Sequence, residues 1–216
     1  MPNLMSMDRI LEKYITDHSS PEDKVLYDLY RQTHLRFVNP NMSTGYLQGK
    51  LLEFLSLMIN PELIIEIGTY TGYSAICLAK GLRPGGKLYT IEVNDELTGF
   101  SRAYFHKAGI DSSVVQLAGR AQDIIPRLGL RFDLAYIDGD KREYPEYYKI
   151  ISPIVRPGGF ILADNILWGN KVLERETADP QTKGIIEFNE LIRNETNIEK
   201  LILPIRDGLT LIRKIR

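Results

Sequence analysis

Glu66-Ile67-Gly68-Thr69-Tyr70-Thr71-Gly72-Tyr73-Ser74 follows the apolar run Leu63-Ile64-Ile65 and leads into Ala75-Ile76-Cys77-Leu78-Ala79. A short run of β-branched and aliphatic residues, then glycine, then a helical pattern reads as a buried strand turning sharply into a helix. The helix is expected over about 72–82, closed by Arg83-Pro84-Gly85-Gly86. Glycines at such a turn let the backbone approach a ligand, and the helix start offers free N–H groups to an anion.

The same alternation continues outward. Strands are expected near 87–92, 113–117, 132–137 and 159–163, with helices near 95–108, 121–128 and 142–154 between them. Strands separated by helices pair in parallel and are covered on both faces. A helix near 180–194 is followed by two strands, about 199–204 and 208–214, with Arg206-Asp207-Gly208 as turn chemistry. The expected architecture is α/β: a Rossmann-like, doubly wound, mostly parallel sheet of seven strands closed by a C-terminal antiparallel hairpin. Upstream, Ser20-Pro21-Glu22-Asp23 reads as a helix start with Ser20 as N-cap. That helix runs to about Phe37, and a second over 45–59 buries Leu51, Leu52, Phe54, Leu55 and Met58.

A chain of 216 residues suits a single domain, 1–216. Helices within 1–60 would cap the substrate or a dimer interface, and 61–216 would form the core sheet. The 27 basic and 28 acidic residues leave a net charge of −1, without the overall basic balance of a nucleic-acid-binding domain. One cysteine, Cys77, rules out an intramolecular disulfide and reads as a core thiol. The first residues lack a basic start followed by a long apolar stretch, and no segment reaches the roughly 18 apolar residues of a membrane span. A cytoplasmic protein without membrane attachment is expected.

The ligand of the glycine turn is narrowed by what is missing. A dinucleotide fingerprint needs glycines at 70 and 73, where tyrosines stand; a P-loop needs lysine at 73. Glu92 ends the second strand, 24 residues after Gly68, where a carboxylate suits a ribose diol. A ligand-free turn with a strand-end acid is the plain alternative.

Glu-Ile-Gly-Thr-Tyr-Thr-Gly-Tyr-Ser closely resembles the cofactor motif of the cation-dependent O-methyltransferases, the catechol and caffeoyl-CoA types and their bacterial family 3 relatives. The resemblance spans about 42–216 and implies the class I S-adenosylmethionine fold. It also implies that Thr44, Glu66, Gly68, Thr69, Gly72, Ser74, Glu92, Ala121, Asp138 and Asp140 line S-adenosylmethionine.

Two more strand ends then gain meaning. Tyr136-Ile137-Asp138-Gly139-Asp140-Lys141 and Ala163-Asp164-Asn165-Ile166-Leu167-Trp168 end adjacent parallel strands, so Asp138, Asp164 and the Asn165 amide oxygen converge. Three hard oxygens select Mg²⁺, Mn²⁺ or Ca²⁺ over zinc, and two vicinal hydroxyls of an acceptor would help complete the shell. The family resemblance implies that Lys141, beside Asp138, takes or stabilises the acceptor's hydroxyl proton. Met42, Tyr144 and Trp168 are expected around a small aromatic diol, with 169–180 shaping the same pocket. Gly169 replaces an asparagine of the plant caffeoyl-CoA enzymes and points away from a phenylpropanoid-CoA ester. A homodimer is expected, as in bacterial and plant members. The alternative acceptor is hydroxyuridine in tRNA; the cations Lys183, Arg193, Lys200, Arg206, Arg213, Lys214 and Arg216 are interleaved with acids and apolar residues and read mainly as solvated faces.

Overall fold

The computed structural model describes residues 9–174 and 177–216. The N-terminal residues behind the expectation of no leader, and Arg175 and Glu176 within 169–180, lie outside them.

Three helices come first: α1 (Arg9–Asp17), α2 (Lys24–Arg36) and α3 (Tyr46–Ile59). The alternation follows as β1 (Leu63–Ile67), α4 (Tyr73–Ala79), β2 (Lys87–Glu92), α5 (Thr98–Lys107), β3 (Val114–Ala118) and α6 (Ala121–Leu128). It continues through β4 (Phe132–Ile137), α7 (Tyr144–Ile151), β5 (Val155–Asp164) and α8 (Pro180–Asn194), then β6 (Ile198–Leu203) and β7 (Leu209–Lys214). The seven strands form one sheet in the order β3-β2-β1-β4-β5-β7-β6. β1 to β5 pair in parallel; β7 runs antiparallel to both β5 and β6, which makes the expected hairpin.

Side chains of a strand alternate between faces, and this divides the core in two. Ile65, Ile67, Ala135, Ile137, Ile161 and Ala163 pack against Tyr148 and Ile151 of α7 and Ile185 and Phe188 of α8. Ile64, Leu134, Tyr136 and Leu162 face the other way, against Leu26 and Leu29 of α2, Leu52 of α3 and Phe105 of α5. Each large apolar side chain so buried contributes roughly 1.5–3 kcal/mol. The winding reverses between β1 and β4, and a ligand crevice belongs at the carboxyl ends of strands at such a point.

Several local expectations are corrected. Asp23, not Ser20, caps α2: its carboxylate accepts from Val25 N at 2.8 Å. In α3 the buried row is Gln48, Leu52 and Ser56, spaced by four and flanked by Gly49, while Phe54 and Met58 are exposed. The helix is rotated because Gly49 packs on Tyr73, where an added Cβ would lie 2.5 Å from the ring. β5 starts at Val155 rather than 159, and the register slips between Phe132 and Leu134 where it pairs with β4. A single 3₁₀ turn, Lys141–Glu143, precedes α7. Cys77 is buried, as expected. No helix among the described residues is long and apolar enough to cross a membrane.

Candidate active site

A cleft of about 870 Å³ opens at the carboxyl ends of β1, β2, β4 and β5. Its walls include Met42, Thr44, Gly68, Glu92, Ala121, Asp138, Asp140, Lys141, Asp164, Asn165 and Trp168. The sequence placed all of these at a site.

One half of the cleft follows the glycine turn. Gly68 has φ +99°, and a Cβ there would lie 2.2 Å from the Asp138 carbonyl oxygen. Only glycine lets β1 and β4 approach this closely. Glu92 reaches in from the end of β2, its carboxylate accepting from Tyr70 N at 2.8 Å and Asn94 N at 3.0 Å. Thr69, Ser74 and part of the glycine turn line a small adjoining hollow. Gly72 lies beside it with φ +95°, close against Phe105. Asp140 accepts from Arg142 through both the backbone N–H and the guanidinium, and these bonds hold its carboxyl below the usual range.

Glu66 sits behind the cleft rather than in its wall. It is fully buried and accepts from Ser74 Oγ and Thr90 Oγ1, each at 2.6 Å. Burial pushes its pKa up to about 8 against the pull of these two hydrogen bonds.

The other half holds the charged groups. Asp138 at the end of β4 and Asp164 at the end of β5 are brought together by the pairing of Ile137 with Ala163. Burial raises the pKa of Asp138 to about 6; the Lys141 ammonium lowers it and the Asp164 carboxylate raises it. Lys141, itself buried, donates to Asp138 Oδ1 at 2.7 Å and to Tyr144 Oη at 2.8 Å. Asp164 Oδ2 accepts from Gln48 Nε2 at 2.6 Å and from Tyr136 Oη at 2.8 Å, while Oδ1 accepts from Asn165 N at 2.8 Å.

The neighbouring Asp164 carboxylate repels that of Asp138, and a cation between them would relieve the repulsion. The oxygen groups expected as donors, the Asp138 and Asp164 carboxylates and the Asn165 amide, all belong to residues lining this cleft, and the Asn165 backbone is held at φ +56°. Such an all-oxygen set suits Mg²⁺, Mn²⁺ or Ca²⁺. Among the described residues, no group of three or more His, Cys, Asp or Glu could hold a metal ion.

Tyr144 is not in the wall. It is fully buried, and its hydroxyl donates to the Asp164 carbonyl oxygen at 2.9 Å while it accepts from Lys141. It supports Lys141 from below instead of facing an acceptor ring, because α7 turns its first residue into the core. Trp168 does line the cleft, at φ +46°, and exposed Met42 lines it too.

Gln48, Tyr136, Arg206 and Asp207 were missed as site residues. They come from α3, β4 and the β6–β7 turn, and only the fold brings them together. The polar Gln48 within a buried helix row was the available signal.

The family model described as O-methyltransferase matches residues 16–215. A catechol O-methyltransferase of Niastella koreensis is 34% identical over 168 residues, covering 76% of each chain. A caffeoyl-CoA O-methyltransferase of Stellaria longipes is 29% identical over 218 residues, covering 95% of this chain and 90% of the other. The O-methyltransferase TomG of Streptomyces achromogenes, solved in complex with SAM, superposes with a TM-score of 0.88 at 30% identity, covering 96% of both chains.

Proposed function

Because this chain belongs to the O-methyltransferase family and is an S-adenosylmethionine-dependent enzyme, we propose that its acceptor is a small catechol-type diol and that a divalent cation, Mg²⁺ above all, assists the transfer. The observation that carries this reading is the pair of carboxylates at the cleft, part-buried Asp138 and buried Asp164, with Lys141 2.7 Å from Asp138 in the same cleft as Gly68 and Glu92.

In this reading Asp138, Asp164 and the Asn165 amide hold the cation. Bound there, it lowers the acidity barrier of a phenol, whose pKa is otherwise about 10. Glu92 binds the ribose hydroxyls of the donor, and Gly68 leaves room for its backbone-side contacts. Ala121 borders the adenine, and Thr44, Thr69 and Ser74 border the amino-acid end, backed by Glu66. Asp140 completes this wall. Met42 and Trp168 flank the acceptor ring.

The chemical step is a displacement. Lys141, once its ammonium has released a proton to solvent, takes the acceptor's hydroxyl proton on its nitrogen lone pair; the acceptor oxygen bonds to the methyl carbon, while the carbon–sulfur bond breaks and leaves a neutral thioether. Lys141 is placed for this by its two donated hydrogen bonds, to Asp138 and Tyr144, which leave the nitrogen's remaining position for the cleft. Proximity and in-line orientation supply much of the acceleration. The reading includes a homodimer formed through the N-terminal helices, where Tyr27 and Leu35 of α2 are exposed.

The test is transfer of labelled methyl to a panel of catechols, matched monophenols and tRNA, with the product identified. Methylated catechol supports the reading. Labelled tRNA alone would replace it with the nucleic-acid acceptor. Light scattering at twice the chain mass tests the dimer.

A further inference from the structure

The β6–β7 turn carries two contacts that the methyl-transfer reading does not use. Arg206 adopts φ +47°, a left-handed conformation that residues with a side chain rarely take. Its guanidinium crosses to the N-terminal side of the cleft. Nη1 donates to the carbonyl oxygens of Ser43, at 3.1 Å, and Thr44, and reaches Gln48 Oε1 at 3.4 Å. Nη2 reaches the Asn41 carbonyl oxygen at 3.4 Å. The next residue, Asp207, points the other way and accepts from Gly169 N at 2.6 Å.

These two segments are the lips of the acceptor half. Met42 stands on one, in the single 3₁₀ turn Pro40–Met42; Trp168 stands on the other, beside Gly169 and Asn170, both at positive φ. A single 3₁₀ turn and a kinked loop hold themselves weakly. The turn that links β6 to β7 is anchored instead by the sheet.

We propose that Arg206 and Asp207 form a two-sided clamp that sets the width of the acceptor cleft and so positions the acceptor ring. Arg206 is a positioning residue; it also steadies Gln48, whose amide donates to Asp164. Glycine would suit the backbone of residue 206, so the arginine is kept against its local preference. Residues held in such conformations persist where the surrounding contacts over-determine them. The inference rests on the acceptor lying between Met42 and Trp168, as in the reading above.

The backbone geometry supplies an unusually clean variant. Arg206→Gly relieves the left-handed position and removes the clamp together with the guanidinium charge beside Asp138 and Asp207, and Arg206→Lys restores the charge. Hydrogen exchange of the protein without substrate is compared with its thermal midpoint, with Asp207→Ala read in parallel. Arg206→Gly is expected to keep its midpoint within about 2 °C. Exchange of the Met42 and Ser43 amides should rise at least about tenfold, with the β1 and β4 amides unchanged. Asp207→Ala should do the same at Gly169. With a methylated catechol, Arg206→Gly should raise the acceptor KM at least about fivefold with kcat less affected, and Arg206→Lys should recover part of the loss. Unchanged exchange at the lips overturns the clamp. So does faster exchange throughout the chain with a lowered midpoint, which would make Arg206 an ordinary stabilising residue. Exchange is read without an acceptor, so failure of every catechol overturns the substrate reading while the exchange result still decides the clamp.

Discussion

Lys141 Nζ lies 2.7 Å from Asp138 Oδ1, and Tyr144 Oη accepts its second hydrogen bond at 2.8 Å. A buried lysine nitrogen so fixed is aimed at one place, and its remaining position faces an acceptor hydroxyl, whose proton it takes as the free amine. Replacing Lys141 with alanine should therefore lower kcat by about 10²–10⁴-fold, the range of a lost general acid–base group. Cofactor affinity should change little, because this role begins at proton removal. Equal losses in kcat and in cofactor binding would mark Lys141 as structural.

Glu92 accepts from two backbone N–H groups, and these fix its carboxylate at the cleft. If it also accepts from a ribose diol, Glu92→Ala should weaken S-adenosylmethionine binding by about 1.5–3 kcal/mol. Calorimetry measures this directly. An unchanged affinity would show that the ribose lies elsewhere.

Glu66 offers a test of stability against pH. Its folded pKa is raised by burial from the ordinary 4.5 to about 8. The folded protein thus keeps a proton that the unfolded chain loses above pH 4.5, so stability falls as pH rises between about 4.5 and about 8. Glu66→Gln removes the titrating group and nearly preserves its shape. Without cofactor, the variant should gain stability relative to the parent as pH rises through this window, by a few kcal/mol. Denaturant unfolding at pH 5 and pH 8 measures it. A parent–variant difference that is the same at both values would contradict the buried, protonated carboxyl.

The glycine turn makes a sharper structural prediction. A Cβ on Gly68 would meet the Asp138 carbonyl oxygen at 2.2 Å, whereas one on Gly85, also at positive φ, meets nothing within 4 Å. Gly68→Ala should displace β4 from β1 and cost several kcal/mol, while Gly85→Ala should cost about 1 kcal/mol from the backbone alone. Matched thermal denaturation curves compare them. Equal losses would mean that close approach is not why residue 68 is glycine.

The elements that position this site were legible because their signals are local. Leu63 to Gly68 is a buried strand meeting a turn, and Asp138 and Asp164 each end such a run. Helix faces were less legible: α3 is amphipathic in outline, but Gly49 against Tyr73 rotates Phe54 and Met58 to the surface. Tyr144 looked like a ring wall by its place in the chain, yet the first turn of α7 buries it beneath Lys141. Arg206 was visible only as turn chemistry and as one of the dispersed C-terminal cations. Its partners Thr44 and Gln48 stand 162 and 158 residues earlier, a separation that no pattern in one sequence spans.

The most direct test compares kcat/KM for a catechol and its matched monophenol, each with Mg²⁺ and with EDTA. Two adjacent hydroxyls complete an oxygen shell that one hydroxyl leaves to water, and they also fix the ring. The account predicts that the catechol is preferred at least about tenfold with Mg²⁺, equivalent to about 1.4 kcal/mol of transition-state stabilisation, and that turnover vanishes in EDTA and returns with Mg²⁺ or Mn²⁺. Asp164→Ala should behave like the chelated enzyme while remaining folded. Full activity in EDTA, or equal use of catechol and monophenol, would contradict it.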